Sequence, residues 1–274
     1  KNFYKFIGAF GLEGIIIKAK LKVKKTITQN LIVKSKILKS IKNIKDDFDI
    51  NSDYHYIQID PFFRKENFAI SFRGYYCNLK DNLYKKINLN AYKVEEIIFK
   101  ALGKFINFYT WKIFYKLFFL FNSKLNKVID IHNFHYSSKY KHLIPLVFKS
   151  GLLDYEILIK KKFTITVKRL INFLKKNELY PTYIIVKKIY KSKDKYRNQF
   201  NENGFSFAMS FNKSHLKPET IHSLMIFLKK SKLKINLSKT DEKFVNFKKD
   251  DNYLFSSLYK KMLLDYNGIS GTRT

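Results

Sequence analysis

The feature that most restricts this chain is its alternation between two hydrophobic periods. From residue 128 onward, period-two runs suited to half-buried strands trade places with period-3.6 runs suited to amphipathic helices. Strands are expected at 128–135, 152–159, 182–190, 205–211 and 234–237, and helices at 140–150, 164–176, 218–230 and 253–264. Pro218 suits a first helical turn, where its missing N–H leaves no bond unmade. The order strand, helix, strand, helix, strand, strand, helix, strand, helix predicts an α+β fold, with an antiparallel sheet and helices on one face. No repeat of fixed period is visible.

Upstream, Gly8-Ala9-Phe10-Gly11-Leu12-Glu13-Gly14 leads into an alternating strand at 15–23. Residues 24–53 are lysine-rich and read as a strand followed by a short helix ending near Asp46-Asp47. Residues 54–60 alternate as a strand stopped by Pro61, and residues 68–76 read as its neighbour. Helical character spans 94–121 and is strongest from Phe105. The run 105–121 is very apolar, but Lys112 and Lys116 interrupt it. A membrane span wants about 20 residues without charges, so a buried or interfacial helix is expected.

The charge balance is 54 Lys+Arg against 22 Asp+Glu, a net +32. Charge of this size brings nucleic acid or an anionic membrane into view. Yet only Arg64, Arg73, Arg169, Arg197 and Arg273 are arginines, and nucleic-acid readers lean on arginine for bidentate contacts. Lys, Ile, Asn, Phe and Tyr are enriched together, as AT-rich codons would give, and the lysines spread along the whole chain. Composition drift therefore accounts for the charge better than selected binding of a polyanion. A non-catalytic basic module for nucleic acid or an anionic membrane stays as the alternative.

An apolar share of 46% is ample for a core. Cys77 is the single cysteine, which excludes an intramolecular disulfide framework and a four-cysteine zinc module. The histidines are His55, His132, His135, His142, His215 and His222. His132 and His135 fall on opposite faces of the expected strand, so no metal site is expected. There is no Gly-x-Ser-x-Gly elbow and no P-loop, leaving hydrolase and kinase readings without support. The Gly8/Gly11/Gly14 spacing is not that of a dinucleotide fingerprint, and a strand follows where a helix is needed. It reads as a tight turn that also permits close backbone approach to a ligand. On the later strands, Asp154 and Glu156 share one face, either as a solvated edge or as a polar wall. Lys187 and Ile189 share a face, with Lys188 opposite.

Eight segments carry a resemblance when taken in order. Residues 8–16 resemble a Gly-x-x-Gly-Leu-Thr-Gly-Ile-Ile turn, and Ile57-Gln58-Ile59-Asp60 resembles a Trp-Ile-Asp strand. Residues 105–115 resemble a Leu-Leu-Asn…Phe-Asn-x-x-Tyr-Tyr helix, and Asn133-Phe134-His135-Tyr136 resembles Phe-Phe-Tyr-Pro. Residues 151–156 resemble Gly-Phe-x-Gln-Tyr-Gln, and Val186-Lys187-Lys188-Ile189 resembles Leu-Lys-Arg-Phe. Residues 204–211 resemble Gly-Trp-x-x-x-x-Asp-Phe, and Leu237-Ser238-Lys239-Thr240 resembles Leu-Ala-Lys-Asp. Together, over residues 5–245, the chain resembles the C-terminal part of FAD-linked oxidoreductases of the vanillyl-alcohol-oxidase superfamily. The nearest likeness is to decaprenylphosphoryl-β-D-ribose 2-oxidase and D-arabinono-1,4-lactone-oxidase-like proteins. The departures are Asp154 and Glu156 for two glutamines, Ser210 and Thr240 for aspartates, Ala208 for a pocket cysteine, Glu13 for threonine and Ser137 for proline.

The resemblance implies a division of the chain. Residues 1–24 would close an FAD-binding domain, 25–53 link, 54–245 form the substrate domain, and 246–274 add a helix and tail. Because the chain opens on Lys1 in mid-domain, it is expected to be a processed or partial product, inactive alone. The implied reaction is oxidation of a sugar hydroxyl by hydride transfer to FAD, on a polyprenyl-phosphate sugar or a sugar lactone. Gly8, Gly11, Gly14 and Ile15 would lie at the flavin. Lys239 would be the catalytic lysine. Tyr136, Asp154, Glu156, Lys187, Ile189, Ser206 and Ala208 would line the substrate. The likeness further implies a cytoplasmic location or peripheral contact at the inner membrane face, a short-chain reductase as partner, and no specific nucleic acid.

Overall fold

The computed structural model describes residues 30–65, 68–77, 107–131, 151–191 and 202–235, with single positions at 17, 18, 20, 28, 105, 134, 148 and 200. Eight strands form one sheet: β1 (Asn30–Leu38), β2 (Tyr54–Ile59), β3 (Ala69–Tyr76), β4 (Asn126–Asp130), β5 (Leu152–Ile159), β6 (Tyr183–Ile189), β7 (Gly204–Asn212) and β8 (Lys234–Ile235). Their spatial order is β4-β1-β3-β2-β6-β7-β5-β8, and every pairing is antiparallel. The α+β class and the antiparallel sheet agree with the period reading. Among the described residues four α-helices accompany the sheet: α1 (Ile41–Asp47), α2 (Phe108–Asn122), α3 (Phe163–Lys176) and α4 (Pro218–Lys230). β1 and α1 both fall within residues 25–53.

Each helix begins for a local reason. The Ser40 side chain accepts from the Asn43 N–H and caps α1. Asn107 accepts from the Tyr109 and Thr110 amides at 2.9 and 3.1 Å, while the Thr110 hydroxyl accepts from the Asn107 N–H, a reciprocal cap for α2. In α4, Pro218 sits in the first turn, Glu219 complements the positive end of the helix dipole and Lys229 and Lys230 the negative end. α3 starts instead from Lys162 in the left-handed region, φ 50°, with no side-chain cap. Its stability comes from burial of Phe163, Val167, Leu170, Ile171 and Leu174, a stripe at helical spacing. Each is worth roughly 1.5–3 kcal/mol when taken fully out of water.

The helices occupy both faces, which corrects the expectation of helices on one face. α1, α3 and α4 cover the face carrying Ile57, Ile59, Leu153, Tyr155, Ile157, Ile184, Val186, Phe207, Met209 and Phe211. α2 lies against the opposite face, where Tyr115 and Phe119 pack on Leu31, Val33, Ile70 and Phe72. The cause is the two-sided apolarity of the first half of the sheet. β3 buries side chains at four successive positions, from Ala69 to Phe72, so both of its faces need cover. Two polar bonds seat α2: the Trp111 indole donates to the Thr182 carbonyl at 3.1 Å, and the Gln58 amide donates to the Tyr115 hydroxyl at 3.1 Å.

The strand expected at 128–135 ends at Asp130, and residues 131 and 134 are helical. The expected strand at 15–23 lies mostly outside the described residues. So do the helices expected at 140–150 and 253–264 and the histidine pair His132/His135.

Candidate substrate-binding face

The second half of the sheet sets three strands side by side with a fixed register. On β5 and β7, Asp154 pairs with Ser210, Glu156 with Ala208 and Leu158 with Ser206. On β6 and β7, Tyr183 pairs with Ser210, Ile185 with Ala208, Lys187 with Ser206 and Ile189 with Gly204. Cross-strand partners share a face. The rungs are therefore Tyr183–Ser210–Asp154, Ile185–Ala208–Glu156 and Lys187–Ser206–Leu158. Gln58 pairs with Ile185 and carries the middle rung onto β2. This is the face of the sheet opposite α3 and α4.

Six residues named from the sequence thus meet on one face: Asp154, Glu156, Lys187, Ile189, Ser206 and Ala208. They come from three segments separated in sequence by helices and loops, and pairing alone brings them together. Lys188 points the other way, as its place in the strand requires, and its ammonium reaches Asp49 at 3.2 Å. Gly8, Gly11, Gly14, Ile15, Tyr136 and Lys239 lie outside the described residues.

The face is polar in a structured manner. The Ser210 hydroxyl donates to the Asp154 carboxylate directly across the strands, and the Ser206 hydroxyl donates to the Glu156 carboxylate on the diagonal. Glu156 and Ser206 are 5% and 1% exposed, so this pair sits inside, whereas Asp154 and Lys187 reach solvent. The two carboxylates are two residues apart on β5, roughly 6–7 Å along the strand. Tyr183 joins this face to the aromatic cluster beneath α2. Burial raises its phenol above the ordinary tyrosine value, the Asp154 charge adds to the shift, and a hydrogen bond with Ser210 opposes it. What this face presents to solvent is the Asp154 carboxylate and the Lys187 ammonium, with Glu156, Ser206 and Ser210 buried.

Sequence reasoning missed Tyr183, although its signal was present: it lies four residues before Lys187 on an alternating strand and so shares its face. It also missed a buried ionic cluster on the face covered by α1, α3 and α4. Asp47 of α1 receives the Arg73 guanidinium and lies 3.1 Å from His55 Nε2, which is 2.9 Å from the Ser71 hydroxyl. Burial alone would raise the Asp47 carboxyl. Hydrogen bonds from His55 and Ser71 and the charge of Arg73 outweigh burial and hold it below the usual carboxylate range. This cluster ties α1 to β2 and β3 and is remote from the rungs described above.

A small cleft of about 70 Å³ opens where Phe108 and Trp111 of α2 meet Phe148, Tyr180, Phe211 and His215. It is well below the ~300 Å³ of ordinary ligand pockets and has no room for a flavin ring. Among the described residues no group of three or more His, Cys, Asp or Glu side chains is placed to hold a metal ion. No helix among them is long and apolar enough to cross a membrane. No protein-family model matches the chain, and no curated protein matches it.

Proposed function

We propose that the chain is the substrate-domain portion of an FAD-dependent oxidoreductase that oxidises a sugar hydroxyl, with the β5–β6–β7 face as one wall of the substrate site. The observation that carries this reading is the convergence of Asp154, Glu156, Lys187, Ile189, Ser206 and Ala208 on that single face. The resemblance selected them from three separate segments, and strand register sets them on adjacent rungs.

In this reading the chain's own groups bind and orient. The exposed Asp154 carboxylate accepts hydrogen bonds from sugar hydroxyls, with Ser210 on the neighbouring strand fixing its orientation, while the Glu156–Ser206 pair is closed to solvent and bridges β5 and β7. The Lys187 ammonium faces the phosphate or lactone oxygen, where a point charge is most useful. Bound FAD would supply the hydride acceptor, and the protein the placement of the carbinol carbon. The residues assigned to the flavin, Gly8, Gly11, Gly14, Ile15 and Lys239, lie outside the described residues. The wall described here therefore supports the sugar half of the reading. Peripheral attachment at the inner membrane face and a short-chain reductase partner belong to the same proposal.

The test uses the chain joined to the flavin-binding half that the resemblance places ahead of it. The purified protein should carry FAD and lose its visible flavin absorption on anaerobic addition of a sugar lactone or a phosphoryl-ribose. A flavin-free protein, or a flavin unaffected by any sugar carbinol, overturns the proposal.

A further inference from the structure

α2 is apolar on both sides. Its inner side, Tyr115 and Phe119, is buried on the sheet, yet its outer side is no more polar. Tyr109, Ile113, Leu120 and Phe121 are 75%, 60%, 66% and 73% exposed, and Leu117 lies between them. Positions 109, 113, 117 and 120/121 follow one another by three or four residues, so they form a continuous stripe along the helix. Exposed stripes of this kind mark contact surfaces. Lys112 and Lys116, both exposed, run along its flank. From residue 97 to residue 129 the sequence holds six lysines, at 100, 104, 112, 116, 124 and 127, and no Asp or Glu.

We propose that this outer stripe of α2 lies in the headgroup boundary of an anionic lipid bilayer, with Lys112 and Lys116 against the lipid phosphates. The charge pattern selects this occupant. A second copy would bring the same lysines against each other on chains of net charge +32. An anionic surface attracts them, at about 1 kcal/mol per basic residue near the headgroups. The geometry fits lying on the membrane and not crossing it. Fifteen residues make about 22 Å of helix, short of a ~30 Å hydrocarbon core. In an ordinary interfacial helix the polar face turns to water; here the sheet covers the inner face and only the apolar stripe is left for the lipid. This inference deepens the membrane part of the reading above and needs no flavin, so the redox reading and the lipid reading fail separately.

The experiment is flotation of the chain with phosphatidylcholine vesicles, with and without roughly a third phosphatidylglycerol. Binding is read as the share of protein that floats with the vesicles, since Trp111, the single tryptophan, is seated on the sheet side of α2 and does not report the outer stripe. The parent should bind the anionic vesicles about tenfold more strongly than the neutral ones. Ile113→Glu with Leu117→Glu should cut that binding by a further tenfold or more. Ile165→Glu with Ile226→Glu makes the same charge change on exposed positions of α3 and α4, across the sheet, and should bind as the parent does. Thermal melts check that both double variants fold, and single substitutions replace any pair that does not. Four results overturn the proposal: no preference of the parent for anionic vesicles, parent-like binding by the α2 variant, equal loss in both variants, or a parent dimer that the α2 substitutions dissolve.

Discussion

Ser206 donates its hydroxyl to the Glu156 carboxylate diagonally across the β5–β7 pair, and both side chains are all but closed to solvent. A buried carboxylate depends on such donors, so removing one is felt. Ser206→Ala should destabilise the fold by about 1–3 kcal/mol in urea denaturation. Adding Glu156→Gln to that variant should recover part of the loss, because a neutral amide is cheaper to bury than a charge. Equal stability of parent and Ser206→Ala would show that the bond contributes nothing.

Gly204 begins β7 in a place where no larger residue fits. A Cβ there would stand 2.9 Å from the Ile159 carbonyl oxygen and 2.9 Å from Leu158 Cδ1. The carbonyl belongs to the β5 ladder and cannot give way without loss of register. Gly204→Ala is therefore expected to lower stability by roughly 1–3 kcal/mol. A melting temperature equal to that of the parent contradicts the close approach.

The Asp47–Arg73–His55 cluster makes a pH prediction. The Asp47 carboxyl is held below its ordinary value in the folded state. A depressed carboxyl contributes stability that is complete above its unfolded pKa of about 4 and is lost as the pH falls through the folded value. Asp47→Asn should therefore be less stable than the parent at neutral pH, and the gap should close in acid. Arg73→Met leaves a buried carboxylate without its cation and should cost roughly 3–5 kcal/mol near neutral pH. A stability gap for Asp47→Asn that stays constant down to pH 2 would falsify this account of the cluster.

Lys239 carries the resemblance's catalytic role. Its ammonium would hydrogen-bond the substrate hydroxyl and stabilise charge developing on the reduced ring. In the protein joined to its flavin-binding half, Lys239→Ala and Lys239→Met should keep FAD but slow anaerobic flavin reduction by about a hundredfold or more. Parent-like rates in both variants remove the assignment.

Most of the sheet was legible because its strands announce themselves by period. Residues 152–159 as a strand and 218–230 as a helix match the structure residue for residue. The antiparallel sense of the sheet agrees with the expectation, but its strand order was not legible, because most neighbours are non-consecutive in sequence. The side of the sheet taken by α2 did not follow, because a helix apolar all round gives no sign of which face turns inward. The start of α3 at Lys162 was equally silent, since a left-handed lysine leaves no capping residue to read. Within the candidate site, the shared face of Asp154 and Glu156 and the opposed directions of Lys187 and Lys188 came from alternation alone. Their different exposure did not: Glu156 is buried and finds its donor in Ser206, fifty residues later on the diagonal. Asp47 and Arg73 meet only once α1 docks on β3, a contact with no local signature.

The central claim is that the β5–β6–β7 face holds the sugar. The most direct measurement is anaerobic single-turnover flavin reduction by the flavin-containing protein, with substrate varied, in the parent, Asp154→Asn and Lys187→Met. The account predicts full FAD content in all three, with both variants needing about tenfold or more substrate for half-maximal reduction. Parent and variants with the same substrate dependence would contradict it, as would a parent whose flavin no sugar reduces.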